Sequence, residues 1–188
     1  MRRVLVSMFV TLDGMFAGPE GDISWHNVDE EFNDFAIEQL GEVGTLLFGR
    51  VTYEGMASWW TSDMAISGDD PIVAGKMNAL EKVVFSRTLN SADWENTRLV
   101  KDNLEAEVAA LKQQPGKDLV IFGSGSIISQ LAQAGLIDEY RLFINPVALG
   151  NGTAMFAGLP EPLHLKLVDT RVFNSGNVLL RYVPQPQG

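Results

Sequence analysis

The chain has 188 residues, 46% of them hydrophobic, and a mean hydropathy of +0.05, which fits a globular protein and not a disordered or membrane-spanning one. Lys and Arg number 14 against 24 Asp and Glu, a formal net charge of −10, so the surface repels a phosphate backbone. That excludes nucleic acid and anionic membrane as general partners but not a small phosphorylated ligand, and the absence of cysteine excludes disulfides, thiolate nucleophiles and Cys-based metal sites.

Met1-Arg2-Arg3 followed by Val4–Val10 has the outline of a signal peptide, but the apolar run is short and broken by Ser7, Thr11 and Asp13. It reads as the first strand. No other run reaches the ~18 apolar residues of a membrane span, so the expected location is cytoplasmic. Further strand-like runs occupy Thr45–Phe48, Lys82–Phe85, Arg98–Val100, Asp118–Phe122 and Glu139–Asn145. Leu163–Phe173 and Asn177–Val183 flank Asn174-Ser175-Gly176 and predict a closing β-hairpin.

Helical patterns lie between the earlier strands. Asp29–Leu40 places Phe32, Phe35, Ala36 and Leu40 on one face, and Val51–Trp59 is a second helix. A third starts at Asp70-Pro71, a cap residue followed by proline. Asn103–Lys112 aligns Leu104, Val108 and Leu111, and a fifth helix follows Gly123 and ends near Gly135. Strands alternating with helices imply a largely parallel sheet covered on both faces, with antiparallel strands added at one edge. There is no internal repeat and no linker, so residues 1–188 read as one domain, with Thr61–Asp70 as the expected mobile loop.

Three strand ends carry turn chemistry suited to an anion. Phe48-Gly49-Arg50-Val51-Thr52-Tyr53-Glu54 enters a helix through Gly-Arg, and Val84-Phe85-Ser86-Arg87-Thr88 leaves a strand through Ser-Arg. Phe122-Gly123-Ser124-Gly125-Ser126 enters a helix through a Gly-rich turn. Helix N-termini present unpaired N–H groups to phosphate, Gly admits φ > 0 and a close ligand, and Arg adds bidentate donors. Parallel sheets bind ligands outside these carboxyl ends. Each motif has a plain alternative as well. Arg50 can pair with Glu54 four residues on, and Ser86-Arg87 can simply begin a loop.

Taken in order, Gly49-Arg50-x-Thr52-Tyr53-Glu54, Val84-x-Ser86-Arg87-Thr88, Gly123-Ser124-Gly125-Ser126 and Leu136-Ile137-Asp138-Glu139-Tyr140 resemble the dihydrofolate reductase fold. More closely, the chain resembles the bacterial RibD C-terminal-domain proteins, whose Ser/Thr-Leu-Asp-Gly element is matched by Thr11-Leu12-Asp13-Gly14. Pro146-Val147-x-Leu149-Gly150-x-Gly152 also matches, and the likeness runs from Val4 to Tyr182. The resemblance implies a three-layer α/β/α fold: a mostly parallel eight-stranded sheet with an antiparallel C-terminal edge and four or five flanking helices. It further implies a homodimer and NADPH as hydride donor to a small heterocyclic substrate, pterin-like or pyrimidine-like. On that likeness Gly49, Arg50 and Thr52 hold the pyrophosphate and 2′-phosphate side. Ser86 and Arg87 flank the adenosine 2′-phosphate, and Gly123, Ser124, Gly125 and Ser126 cradle the pyrophosphate. Asp13 and Gly14 with Ala17 and Gly18 lie near the nicotinamide.

The carboxylate that dihydrofolate reductases place after a Trp at the start of the first helix falls, by spacing from Trp25, on Glu30, with Glu31 fitting about as well. The Pro that usually separates the two is missing, and Asp29, Glu30 and Glu31 can equally cap the helix. Glu30 and Asp13 are the candidate catalytic groups, Asp13 having a turn-stabilising reading beside it. If buried, Glu30 is expected to have a raised pKa and to relay the proton. Trp25, Tyr53 and Trp59 are assigned to the substrate pocket, with core or dimer contact as the other reading of the Trp59-Trp60 pair. His26 and His164 stand alone and read as structural residues; no metal-ligand spacing occurs, and Ser124 and Ser126 lack a paired His and Asp. The His-x-Glu and Pro-Cys-x-x-Cys elements of zinc deaminases are absent, which favours a role outside riboflavin-pathway reduction. Two other classes stay open: a non-catalytic nucleotide-binding or ligand-sensing module, and a Rossmann dehydrogenase using Gly123-x-Gly125, which that late position in the chain disfavours.

Overall fold

The structure is a computed structural model and describes residues 1–68 and 70–185. Its strands are β1 (Val4–Thr11), β2 (Met15–Ala17), β3 (Val43–Gly49), β4 (Glu81–Phe85), β5 (Thr97–Val100), β6 (Asp118–Phe122), β7 (Glu139–Asn145), β8 (Thr153–Ala154), β9 (Leu165–Val172) and β10 (Val178–Pro184). Its helices are α1 (Glu30–Glu42), α2 (Arg50–Trp60), α3 (Asp63–Ser67), α4 (Pro71–Ala79), α5 (Leu104–Gln113) and α6 (Gly125–Gln133).

Eight strands form one sheet in the order β5-β4-β3-β6-β1-β7-β10-β9. From β5 to β7 all neighbours are parallel, while β10 runs antiparallel to β7 and β9 antiparallel to β10. The central strands read as near-continuous apolar runs because both faces are covered. On one face Val4, Val6, Met8 and Val10 of β1 pack with Val108 and Leu111 of α5 and Ile127, Ile128 and Leu131 of α6. On the other, Leu5, Leu46 and Phe48 pack with Leu40 of α1, Tyr53 of α2, and Val73 and Met77 of α4. An aromatic cluster of Phe143, Phe173, Phe9, Phe32 and Phe35 extends this second face toward β10. These two layers around the sheet are the dihydrofolate reductase-like architecture.

A polar group is buried under α1. Glu139 Oε1 accepts from Arg141 Nε at 2.7 Å and Arg181 Nε at 2.9 Å, and Arg141 also donates to Gln39 at 3.1 Å. The pairing satisfies ions that would otherwise be costly to bury.

The structure adds four short elements to those the periodicity predicts, one of them a single 3-10 turn at Pro19–Gly21. β2 and β8 pair as a separate two-stranded ribbon of three and two residues, too short to show alternation. The expected Thr61–Asp70 loop contains α3, begun by Ser62 as its cap; Asp69 lies outside the described residues. Asp70 does precede a helix with Pro at its first position, and its carboxylate also accepts from Asn33 of α1 at 2.7 Å. The hairpin falls as predicted, β9 and β10 enclosing Asn174-Ser175-Gly176.

Candidate functional site

Parallel register brings the carboxyl ends of five strands to one edge. Gly49 of β3 lies beside Phe85 of β4, Leu47 beside Ile121 of β6, Ser7 of β1 beside Phe122, and Thr11 of β1 beside Asn145 of β7. The turns singled out in the sequence therefore open side by side.

At the centre, the Gly49 N–H donates to Ser124 Oγ at 2.8 Å, across two neighbouring strands. Gly49 is the N-cap of α2 and Ser124 the N-cap of α6, and neither helix has a side-chain cap. Two sets of open N–H groups and two positive dipole ends thus stand together, a ready anion site. Gly123 (φ +66°) and Ser124 (φ 64°) are both left-handed. For Ser that conformation is strained, and such strain gathers where a loop must hold a ligand. The packing is close: a Cβ on Gly123 would lie 2.9 Å from Thr52 Cγ2, and one on Gly125 would lie 2.8 Å from the Phe16 ring. Gly49, Thr52 and residues 123–126 are therefore brought into one cradle.

Arg50 sits at its rim, ion-paired with Glu54 at 2.9 Å with both side chains half exposed. Arg87, on the β4 loop, lies 3.3 Å from Asp102 and is largely exposed. Exposed pairs like these contribute about 0–1 kcal/mol, so either Arg is free to exchange its carboxylate for a phosphate. Ser86 Oγ accepts from the N–H groups of Thr88 (3.2 Å) and Leu89 (3.1 Å), which shapes the loop.

On the other side of the cradle a strap crosses the ends of β1 and β7. Asp13 accepts from Thr11 Oγ1 at 2.6 Å, Gly150 N at 2.6 Å and Leu149 N at 3.2 Å. The Thr11 hydroxyl and then the Gly150 N–H hold its carboxyl down at about 2. Leu12 N donates to Val147 O, Met15 N to Thr11 Oγ1 and Met155 N to Gly14 O, and β2 pairs with β8. Gly152 is required here, because a Cβ would meet Ala17 O at 2.3 Å. The strap holds Phe16 over Gly125 and closes a cleft of about 140 Å³ lined also by Ser126, Ser129 and Thr153.

The acids at the start of α1 take three different positions. Asp29 caps the helix, accepting from Phe32 N at 2.8 Å. Glu31 accepts from Asn174 N at 2.8 Å and Arg171 at 3.0 Å, and those two bonds, in that order, hold its carboxyl below the usual range. Glu30 is exposed, so the burial on which the expected raised pKa depended is not found.

The pocket aromatics are dispersed. Trp25 is half-buried and donates to Asp22 O at 3.0 Å. Tyr53 is core; its hydroxyl accepts from Trp94 N at 3.0 Å, and it borders a separate cleft of about 390 Å³ with Glu54, Leu89 and Asp93. Trp59 is 40% exposed at the opposite end of α2 from Gly49.

A polar group lies beside Trp25, made of His26, read from the sequence as structural, and of asparagines that the sequence reading did not single out. His26 stacks on Phe9 at 4.5 Å, and burial pushes its pKa down to about 4. Asn27 N donates to Asn145 Oδ1 at 2.9 Å, and Asn177 Nδ2 to Asn27 O at 2.6 Å. His26 Nε2 and Asn177 Oδ1 are buried with no hydrogen-bond partner among the described residues. The sequence signal was present in Asn145 and Asn177, which stand at the end of β7 and just before β10. Among the described residues no group of three or more His, Asp or Glu is placed as metal ligands would be, and no helix is long and apolar enough to cross a membrane.

Residues 2–179 match the family model of the RibD C-terminal domain. The chain belongs to the RibD C-terminal domain family. Within it, the chain is 35% identical over 187 residues to the protein YyaP of Bacillus subtilis, spanning 96% of this chain and 94% of that one. A protein named for riboflavin biosynthesis from Shewanella sp. PV-4 superposes with a TM-score of 0.74 at 23% identity, covering 97% and 99% of the two chains. Dihydrofolate reductase from Enterococcus faecalis, solved in complex with NADP(H), superposes with a TM-score of 0.65 at 17% identity over 97% and 96%. The predicted dihydrofolate reductase-like sheet with its antiparallel edge is the one observed.

Proposed function

We propose that this RibD C-terminal-domain protein is a single-domain, homodimeric NADPH-dependent reductase acting on a small planar heterocycle, pterin-like or pyrimidine-like. The observation that carries the reading is the junction of two uncapped helix N-termini at Gly49 and Ser124. A dinucleotide pyrophosphate suits that cradle, since its charge meets open N–H groups and Gly123 and Gly125 remove the Cβ atoms that would crowd it.

In this reading Gly49, Thr52 and Gly123–Ser126 bind the pyrophosphate, and Ser86, Arg50 and Arg87 bind the 2′-phosphate. Bound there, the cofactor supplies a hydride to a polarised C=N or C=O carbon, whose heteroatom takes up a proton. The chain's contribution is placement. The strap pinned by Asp13 fixes residues 14–18 beside the cradle. Trp25 borders the substrate side, and Glu30, reachable from water, relays the proton.

The test is tryptophan-fluorescence titration with NADPH and NADH. Saturable binding with at least about tenfold preference for NADPH is expected, reduced by Arg50→Gln and Arg87→Gln, whose bidentate phosphate contacts supply the preference. Absence of binding by either dinucleotide would overturn the reading. A second reading, cofactor binding without turnover, is favoured by the acids. Asp13 is locked by three bonds, and Glu30 is exposed. NADPH consumption in a heterocycle screen separates the two.

A further inference from the structure

Register lays two rows of side chains across the carboxyl ends of β1 and β7 and the start of β10, on the face that carries α1. Phe9, Phe143 and Leu179 stand side by side in the first row. Alternation puts Thr11 and Asn145, the next residues on that face, in a second. Asn177, one residue before the Val178–Ile144 pair, continues the second row beside Asn145. The first row is apolar and the second polar, and both asparagines are fully buried.

The segment Trp25–Asn27 lies across both rows. The His26 ring stacks on Phe9 at 4.5 Å, the Asn27 N–H donates to Asn145 Oδ1 at 2.9 Å, and Asn27 O accepts from Asn177 Nδ2 at 2.6 Å. That last bond fixes the orientation of the Asn177 amide and leaves its Oδ1 as an acceptor. Asn177 Oδ1 and His26 Nε2 are the two buried atoms of this group with no hydrogen-bond partner among the described residues. Native interiors rarely leave such atoms unmet.

We propose that His26 and Asn177 hold one internal water between Nε2 and Oδ1. The chemistry of the two atoms selects this ligand. Asn177 Oδ1 demands a donor, and His26 Nε2 takes either role according to its tautomer, a combination that water meets. Burial keeps the imidazole neutral at neutral pH, and Phe9 is packed against Phe32 and Phe143 on the other side. An ion placed there would lose its hydration with no bonded counter-charge. The water ties the Trp25–Asn27 segment to the start of β10, beside the bonds that Asn27 makes, and so positions Trp25. Only that last consequence, Trp25 as a wall of the substrate side, rests on the reductase reading.

A high-resolution crystal structure of the full chain should show one ordered water within about 3.2 Å of both atoms. His26→Phe keeps the stack on Phe9 and loses Nε2, while Asn177→Leu keeps the volume and loses Oδ1. Because either change releases the same water, the double variant should lower the urea midpoint by less than the sum of the two single shifts. A water bound to one atom alone, or none at all, overturns the site, and so do strictly additive shifts. Neither measurement needs a dinucleotide or a substrate. Failure of NADPH to bind therefore overturns the reductase reading and leaves this site standing.

Discussion

The backbone N–H of Gly49 is bound by the hydroxyl of Ser124, 75 residues further along the chain, at 2.8 Å. One hydrogen bond thereby locks the start of α2 to the start of α6. Ser124→Ala leaves that buried N–H unpaired, at about 1–3 kcal/mol. Ser124→Gly loses the same bond but relieves the left-handed backbone, worth about 1 kcal/mol. Urea denaturation should therefore rank wild type above Ser124→Gly and Ser124→Gly above Ser124→Ala.

Phe16 and Gly125 form a matched pair. A methyl group on Gly125 would meet the Phe16 ring at 2.8 Å. Gly125→Ala is expected to destabilise by about 1–3 kcal/mol through overpacking. In the Phe16→Ala background the same change should be nearly neutral, because the obstructing atoms are gone. Thermal unfolding of the four-member mutant cycle measures the coupling, and additivity would refute the contact.

His26 makes stability depend on pH. Burial depresses its folded pKa to about 4, while the unfolded chain has the ordinary 6.5. As pH falls the unfolded state takes the proton first. The contribution is thus complete above 6.5 and is lost between 6.5 and about 4, by about 3 kcal/mol at most. His26→Phe keeps the stack on Phe9 and should flatten the stability profile over that interval.

Glu139 is held by three guanidinium groups, those of Arg141, Arg181 and Arg3, in a nearly closed site. Burial alone would raise its pKa, but the bonds from Arg181 and Arg141 outweigh it and the net shift is downward. Its stabilisation is therefore present above the ordinary glutamate range and is lost on acidification. Glu139→Gln leaves the buried Arg141 charge without its counter-ion and should cost about 3–5 kcal/mol at neutral pH, read from denaturant midpoints.

Asp13 ties the loop after β1 to the loop after β7. Asp13→Asn replaces the ionised acceptor and should speed hydrogen exchange at Met15 and Met155 without changing exchange in β3 or β6. Uniform acceleration throughout the chain would instead mark Asp13 as a contributor to global stability.

Much of this protein is written locally. The runs at Val4–Val10, Asp118–Phe122 and Glu139–Asn145 announce buried parallel strands, and Asn174-Ser175-Gly176 announces the hairpin, because periodicity and turn chemistry act over a few residues. The Gly-rich turns are legible for the same reason. What the turns become is decided by register. Only the alignment of β3 with β6 lets Gly49 reach Ser124, and only the alignment of β1 with β7 lets Asp13 reach Gly150. Sequence spacing favours Glu30 with Glu31 about as good, and leaves Asp29, Glu30 and Glu31 all able to cap the helix. Tertiary packing separates them, as Asp29 turns back to cap its own helix, Glu31 meets the hairpin and Glu30 meets water. The exposure of β9 is likewise invisible in its alternation. A strand records which of its faces is apolar, but whether a layer covers that face depends on where every other element has come to rest.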